Sequence, residues 1–285
     1  MRRGARAALL VWIGIATAAA WAAPGTPALV TYLTQRPERQ FFLPVGLSEI
    51  SGLAAASEGT VYALAANYGI VYEVELESGK VIKAFALGKP TVKADFEDIA
   101  VRGDYVYLLT GDGRIFEAPK GENRKRVRYN VYDTGVGEHC ETEGLVQGPS
   151  DDEFLILCKQ ARERAFENRL TIFIWSLREQ TRAATPWLSV SLDGLVEASG
   201  RADFRPSAFA WRRDLDRLLI VSATDHTATE IDRRGSLIGR VTLDRRTHWK
   251  PQALALMPDG RLIVGDEGPH GRGRLAVYSV PQLRP

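Results

Sequence analysis

The chain has 285 residues, 45% hydrophobic and 25% charged, which is enough apolar material for a folded core and excludes disorder as the main state. Its 37 Lys and Arg against 35 Asp and Glu leave a formal charge of +2, too small for a dedicated nucleic-acid binder.

The first predicted element is a leader. Arg2, Arg3 and Arg6 precede an apolar run over 7–20, and Ala20-Trp21-Ala22 offers a small-x-small cleavage site. Residues 1–22 therefore read as a secretory signal peptide. The run is shorter than the ~20 residues of a spanning helix, although an uncleaved anchor is the alternative. Cleavage would remove three arginines and bring the formal charge near −1. Residues 23–38 follow as a linker, and no later stretch is long and apolar enough to span a membrane. The expected location is periplasmic or secreted. In such a compartment Cys140 and Cys158 are candidates for a disulfide, a free buried thiol being the alternative. Two cysteines without a Cys/His cluster do not make a zinc site.

From residue 39 onward the chain is all-β in pattern: short Val-, Ile-, Leu-, Tyr- and Phe-rich runs between turn residues. Five segments align, beginning Ser51-Gly52-Leu53, Glu97-Asp98-Ile99, Glu143-Gly144-Leu145, Ser207-Ala208-Phe209 and Gln252-Ala253-Leu254, at spacings of 46, 46, 64 and 45 residues. After each comes a second strand, over 61–66, 105–110, 154–158, 218–222 and 262–265. Third strands follow over 70–76, 115–118, 170–177, 229–231 and 275–280. A fourth is readable in four units, as in 81–87 and 237–243. Four antiparallel strands in about 45 residues make a β-propeller blade. The sequence thus predicts a five-bladed β-propeller of four-stranded antiparallel blades over 39–285. A sixth blade inside the 64-residue interval is the other possibility. That interval reads more simply as one blade with insertions at 160–168 and 192–203. The fifth unit ends after three strands, so 39–44 is expected to supply its outer strand and close the ring. Arg124-Lys125-Arg126 falls between strands three and four of blade two and reads as a solvated outer loop.

First strands line a propeller's channel, and residues two apart on a strand share a face. The mouth is therefore expected to gather Glu49 and Ser51, Asp95 and Glu97, Glu141 and Glu143, Arg205 and Ser207, and Lys250 and Gln252. Five carboxylates this close need positive charge or protons. Arg205 and Lys250 supply part of the charge and are the expected anion or ligand site; a divalent cation would supply the rest. Calcium suits such an oxygen set. Its expected ligands are Glu97, Glu143, Glu49, Ser51, Gln252 and Glu267, and the alternative is a solvated mouth closed by salt bridges.

A second ring, in the loops after the second strands, holds Asn67, Asp112, Lys159, Asp225, His226, Asp266 and Glu267. His226 beside Asp225 is the one general-base candidate, an exposed polar loop being the plainer reading. His139, His248 and His270 show no partner spacing. No nucleophile elbow, P-loop, H-E-x-x-H or dinucleotide fingerprint occurs.

The ordered motifs Glu49-Ile50-Ser51-Gly52-Leu53, Asp95-Phe96-Glu97-Asp98-Ile99, Cys140-Glu141-Thr142-Glu143-Gly144-Leu145, Pro206-Ser207-Ala208 and Pro251-Gln252-Ala253-Leu254-Ala255 resemble the SdiA-regulated (YjiK-like) family. So do Ala65-Ala66-Asn67 and Val264-Gly265-Asp266-Glu267. The resemblance covers about residues 40 to 280. It implies an exported five-bladed propeller, distantly related to NHL-repeat proteins, with a calcium site, and no particular reaction. Glu97 and Glu143 match the family's glutamates, and Glu267 an acidic position. Gln252 stands where relatives commonly have Glu, and Ala208 where they have Gly. The expected function is a calcium-binding module of the cell envelope for a ligand or an envelope protein, acting as a monomer without nucleic acid. The alternative is a calcium-dependent hydrolase resembling lactonase, esterase or phytase propellers.

Overall fold

Each repeat folds into its own antiparallel sheet, because its apolar runs are short and its turns are tight. The structure is a computed structural model that describes residues 28–196, 204–268 and 271–281. The expected leader therefore lies outside the described residues. Strand β1 (Arg39–Phe42) comes first. Blade one is β2 (Ile50–Ala55), β3 (Thr60–Ala65), β4 (Ile70–Glu75) and β5 (Val81–Leu87). Blade two is β6 (Phe96–Arg102), β7 (Tyr105–Thr110), β8 (Arg114–Pro119) and, after the short β9 (Arg126–Val127), β10 (Asn130–Asp133). Blade three is β11 (Cys140–Gln147), β12 (Glu153–Ala161) and β13 (Arg169–Ser176), with β14 (Thr181–Arg182) and β15 (Leu188–Ser191) both paired to β13. Blade four is β16 (Ala208–Arg212), β17 (Arg217–Ser222), β18 (Thr227–Asp232) and β19 (Leu237–Thr242). Blade five is β20 (Pro251–Leu256), β21 (Leu262–Asp266) and β22 (Arg274–Tyr278), completed by β1. The first strands touch in the cyclic order β2, β6, β11, β16, β20 and back to β2, so the molecule is a five-bladed β-propeller.

The core lies between blades. Val61 and Ala63 face blade five, whereas Tyr62 and Leu64, on the other side of the same strand, face blade two. Both faces of each middle strand are buried, which is why these strands read as unbroken apolar runs. Register closes the ring: Arg39 pairs with Val277 and Phe42 with Arg274.

Two segments depart from the sequence reading. Arg126 and Val127 are not in a free loop. They pair in parallel with Ala86 and Leu87, adding blade two's connection to the edge of blade one. The segment expected as a linker is packed over its described part. Leu29–Thr34 form a 3-10 helix whose Leu29, Val30, Tyr32 and Leu33 are buried between blades four and five. Buried Glu230 accepts the Val30 N–H at 3.1 Å, satisfying a donor that the helix start leaves free. Burial raises the Glu230 pKa, against the pull of the backbone donors and Arg217.

Candidate functional site

One irregularity is shared by four of the five first strands. The β2–β3 register skips Ser51, β6–β7 skips Glu97, β11–β12 skips Glu143 and β20–β21 skips Gln252. Each is a β-bulge, which bends the strand and re-aims one side chain. These are the first positions of the aligned sequence motifs. In blade four the matching Ser207 stands just before β16; its N–H donates to Val221 O and its hydroxyl to Pro251 O at 2.6 Å, tying blade four to blade five. Blade three carries a second bulge on the facing strand, where β12 skips Lys159. Glu143 and Lys159 are thus thrust out together.

The result is a compact charged cluster. Carboxylate oxygens of Glu97, Glu141 and Glu143 lie within 4.8 Å of one another. Lys159 Nζ lies 2.7 Å from Glu143 and 3.4 Å from Glu141. Burial, with Asp95 and Glu141 nearby, pushes Glu97 up to about 7, although Lys159 pulls the other way. Glu143 is only 3% exposed, and burial and the Glu97 charge raise it well above the carboxylate range. Burial disfavours the Lys159 ammonium, but Glu143, Glu97 and Glu141 outweigh it and raise its pKa. One lysine therefore serves three acids. A disulfide sits behind it: Cys140 and Cys158 are bonded, with Cα atoms 5.7 Å apart, each one residue before Glu141 and Lys159.

Asp98, next to Glu97, is a structural tie. It is 5% exposed and accepts the N–H groups of Ile99 and Leu145, each at 2.8 Å, and that of Leu53. One carboxylate thereby joins blades one, two and three. Gly52 must lack a side chain here, since a Cβ would come within 2.7 Å of the Asp98 Cα.

The other expected site residues are dispersed. Glu49 accepts the Asn67 amide. Glu267 is engaged by Lys250 at 2.7 Å and Gln252 at 3.3 Å, and Asp112 by Thr110 and Arg114. Ser51 Oγ is buried without a hydrogen-bond partner among the described residues. Asp225 and His226 do not form a pair: Asp225 Oδ2 accepts from Thr227, and His226 Nε2 faces Trp249 O at 2.9 Å. Asp266 is the end of β21 and 1% exposed, held by His248 Nδ1 at 2.9 Å; His248 Nε2 meets Tyr278 Oη at 2.6 Å. This buried relay binds the turn before β20 to blade five. Its members are far apart in sequence, so no spacing signals it.

Beside the acidic cluster opens a cavity of ≈450 Å³, whose walls include Glu143, Lys159, Arg205, Ser207, His226, Arg245, Trp249, Lys250 and Gln252. The mouth is thus divided: acidic over blades two and three, basic over blades four and five.

No protein-family model matches the chain, and no curated protein matches it. Among solved structures, a glutaminyl cyclase of Myxococcus xanthus is similar at TM-score 0.56 and 14% identity, over 86% of this chain and 95% of that one. Hydrazine synthase of Kuenenia stuttgartiensis is similar at TM-score 0.50 and 12% identity, over 82% and 97%. At these identities the likeness is one of fold. Among the described residues, no helix is long and apolar enough to cross a membrane.

Proposed function

We propose that the protein is an exported propeller of the SdiA-regulated (YjiK-like) kind, a binding module of the cell envelope whose mouth holds calcium. The observation that supports this reading is the convergence of Glu97, Glu141 and Glu143 on one point. Three carboxylates against one ammonium are the donor set and the charge excess that a hard dication matches. Ser51 Oγ, at the equivalent bulge of blade one, has no hydrogen-bond partner among the described residues. Lys159 competes for the same oxygens, so its flexible stem must swing the ammonium aside. Bound calcium would anchor and polarise an oxygen of an incoming ligand. A binding module is the better reading than a hydrolase, because Asp225 is turned to Thr227 and does not orient His226.

Calorimetric titration with calcium, after chelator treatment and dialysis, tests the proposal. Saturable binding is expected in the wild type and is lost in Glu97→Gln/Glu143→Gln. No binding, or equal binding by the variant, overturns it.

A further inference from the structure

Among the described residues, two guanidiniums in the mouth have no partner to neutralise them. Arg205, just before β16, and Arg245, in the turn before β20, line the same ≈450 Å³ cavity. Both are exposed, and neither makes an ion pair or hydrogen bond among the described residues. Lys159 and Lys250, by contrast, are engaged by Glu143 and Glu267. Unpaired arginines are ordinary on a convex surface. Two in the wall of one concavity of ligand size make an anion-attracting field.

His226 adds a second, independent observation. It is 7% exposed and lines this cavity. Its Nε2 lies 2.9 Å from a backbone carbonyl, which only accepts, so Nε2 is the donor. Its Nδ1 is buried and has no hydrogen-bond partner among the described residues, which is a cost for a buried polar atom. The residue also adopts φ 53°, a left-handed conformation that a side chain disfavours. Strain and an unsatisfied polar atom meet at one point of the wall, a combination that persists where the surroundings enforce it. Next to it the Trp249 side chain is left open, at 52% exposure.

We infer that this cavity binds a small organic anion, a carboxylate or phosphate ester with a carbon skeleton of sugar size. Arg205 and Arg245 take the anionic group, for which a guanidinium fork is suited. The exposed Trp249 side chain covers the carbon skeleton. This site adjoins the calcium site, with Glu143 and Lys159 in the wall between them, but its anion-binding arginines are not calcium ligands.

The test is calorimetry on chelator-treated, dialysed protein at low salt, with gluconate, glucuronate, glucose 6-phosphate and ribose 5-phosphate as probes. At least one is expected to saturate a single site, with saturation by only carboxylates or only phosphates naming the anionic group. Arg205→Gln/Arg245→Gln should weaken that binding roughly tenfold or more while its melting temperature stays at the wild-type value. Glu97→Gln/Glu141→Gln, which alters the acidic cluster at two residues outside the cavity wall, should retain it, so failure of the calcium site leaves this result standing. Saturation by none of the four, or equal affinity in the arginine variant, overturns the inference.

Discussion

The two halves of the mouth start from the same strand position and end in opposite electrostatic states. In blades two and three, the bulged residues are Glu97 and Glu143, half-buried and buried, and Lys159 rises from a facing bulge to meet them. In blades four and five the corresponding positions are Ser207 and Gln252, and the cations Arg205 and Arg245 are exposed and, among the described residues, unpaired. The difference shows what burial does to a charge. Charges that leave water must be compensated inside the fold, so the acidic half is tied into stability and its carboxylates hold protons tightly. Charges that stay in water need no partner, so the basic half remains available to an external one.

The strongest way to break this contrast is to remove the internal cation. Lys159→Met leaves three carboxylates together, and is expected to lower unfolding free energy by about 3–5 kcal/mol in urea melts near pH 8. A loss below about 1 kcal/mol would mean that the acidic half is as solvated as the basic one. Next comes the clamp behind the bulges. Cys140→Ser/Cys158→Ser opens a loop of sequence separation 18, at an expected cost of about 3 kcal/mol. Calcium affinity should fall with it, whereas binding of an anion at Arg205 and Arg245 should not. The smallest effect is the response to pH. Glu97 sits at about 7 in the fold against an ordinary 4.5. The folded state therefore binds this proton more tightly than the unfolded chain. The stabilisation is complete below about 4.5 and is lost as pH rises through about 7. In chelator-treated protein the melting temperature should fall by a few degrees, roughly 1 kcal/mol after allowance for solvent contact, between pH 5 and 8. Glu97→Gln should flatten that slope. An unchanged slope would assign the titration to another group.

The blades are legible in the sequence because local rules decide them. Middle strands buried on both faces appear as apolar runs, and Asp-Gly and Ser-Gly turns separate them. Closure by 39–44 follows from counting strands, and β1 (Arg39–Phe42) takes that place. The candidate site is legible only in part. Alternation along a strand finds Glu97, Glu141 and Glu143 as mouth residues, but it says nothing of a bulge, which breaks alternation at the residue that matters. Lys159 reads as a loop residue at the end of a second strand. Only the double skip in the β11–β12 register shows that it opposes Glu143. Glu230 reads as an ordinary strand residue, because its partner is the Val30 N–H, 200 positions away. Interactions set by tertiary register leave no periodic trace.

The pairing of β1 with β22 also fixes an order of events. Arg39–Phe42 are among the first described residues to be synthesised, yet their partners Arg274–Val277 are among the last. Until those emerge, the strand has no neighbour with which to form its ladder, and the contact that seals the ring has nearly the greatest sequence separation the chain offers. Ring closure is therefore a late, slow step of folding. Until that ladder forms, the edges of β1 and β22 stay unpaired, so a chain stopped short of residue 274 would carry an open ring with two bare strand edges.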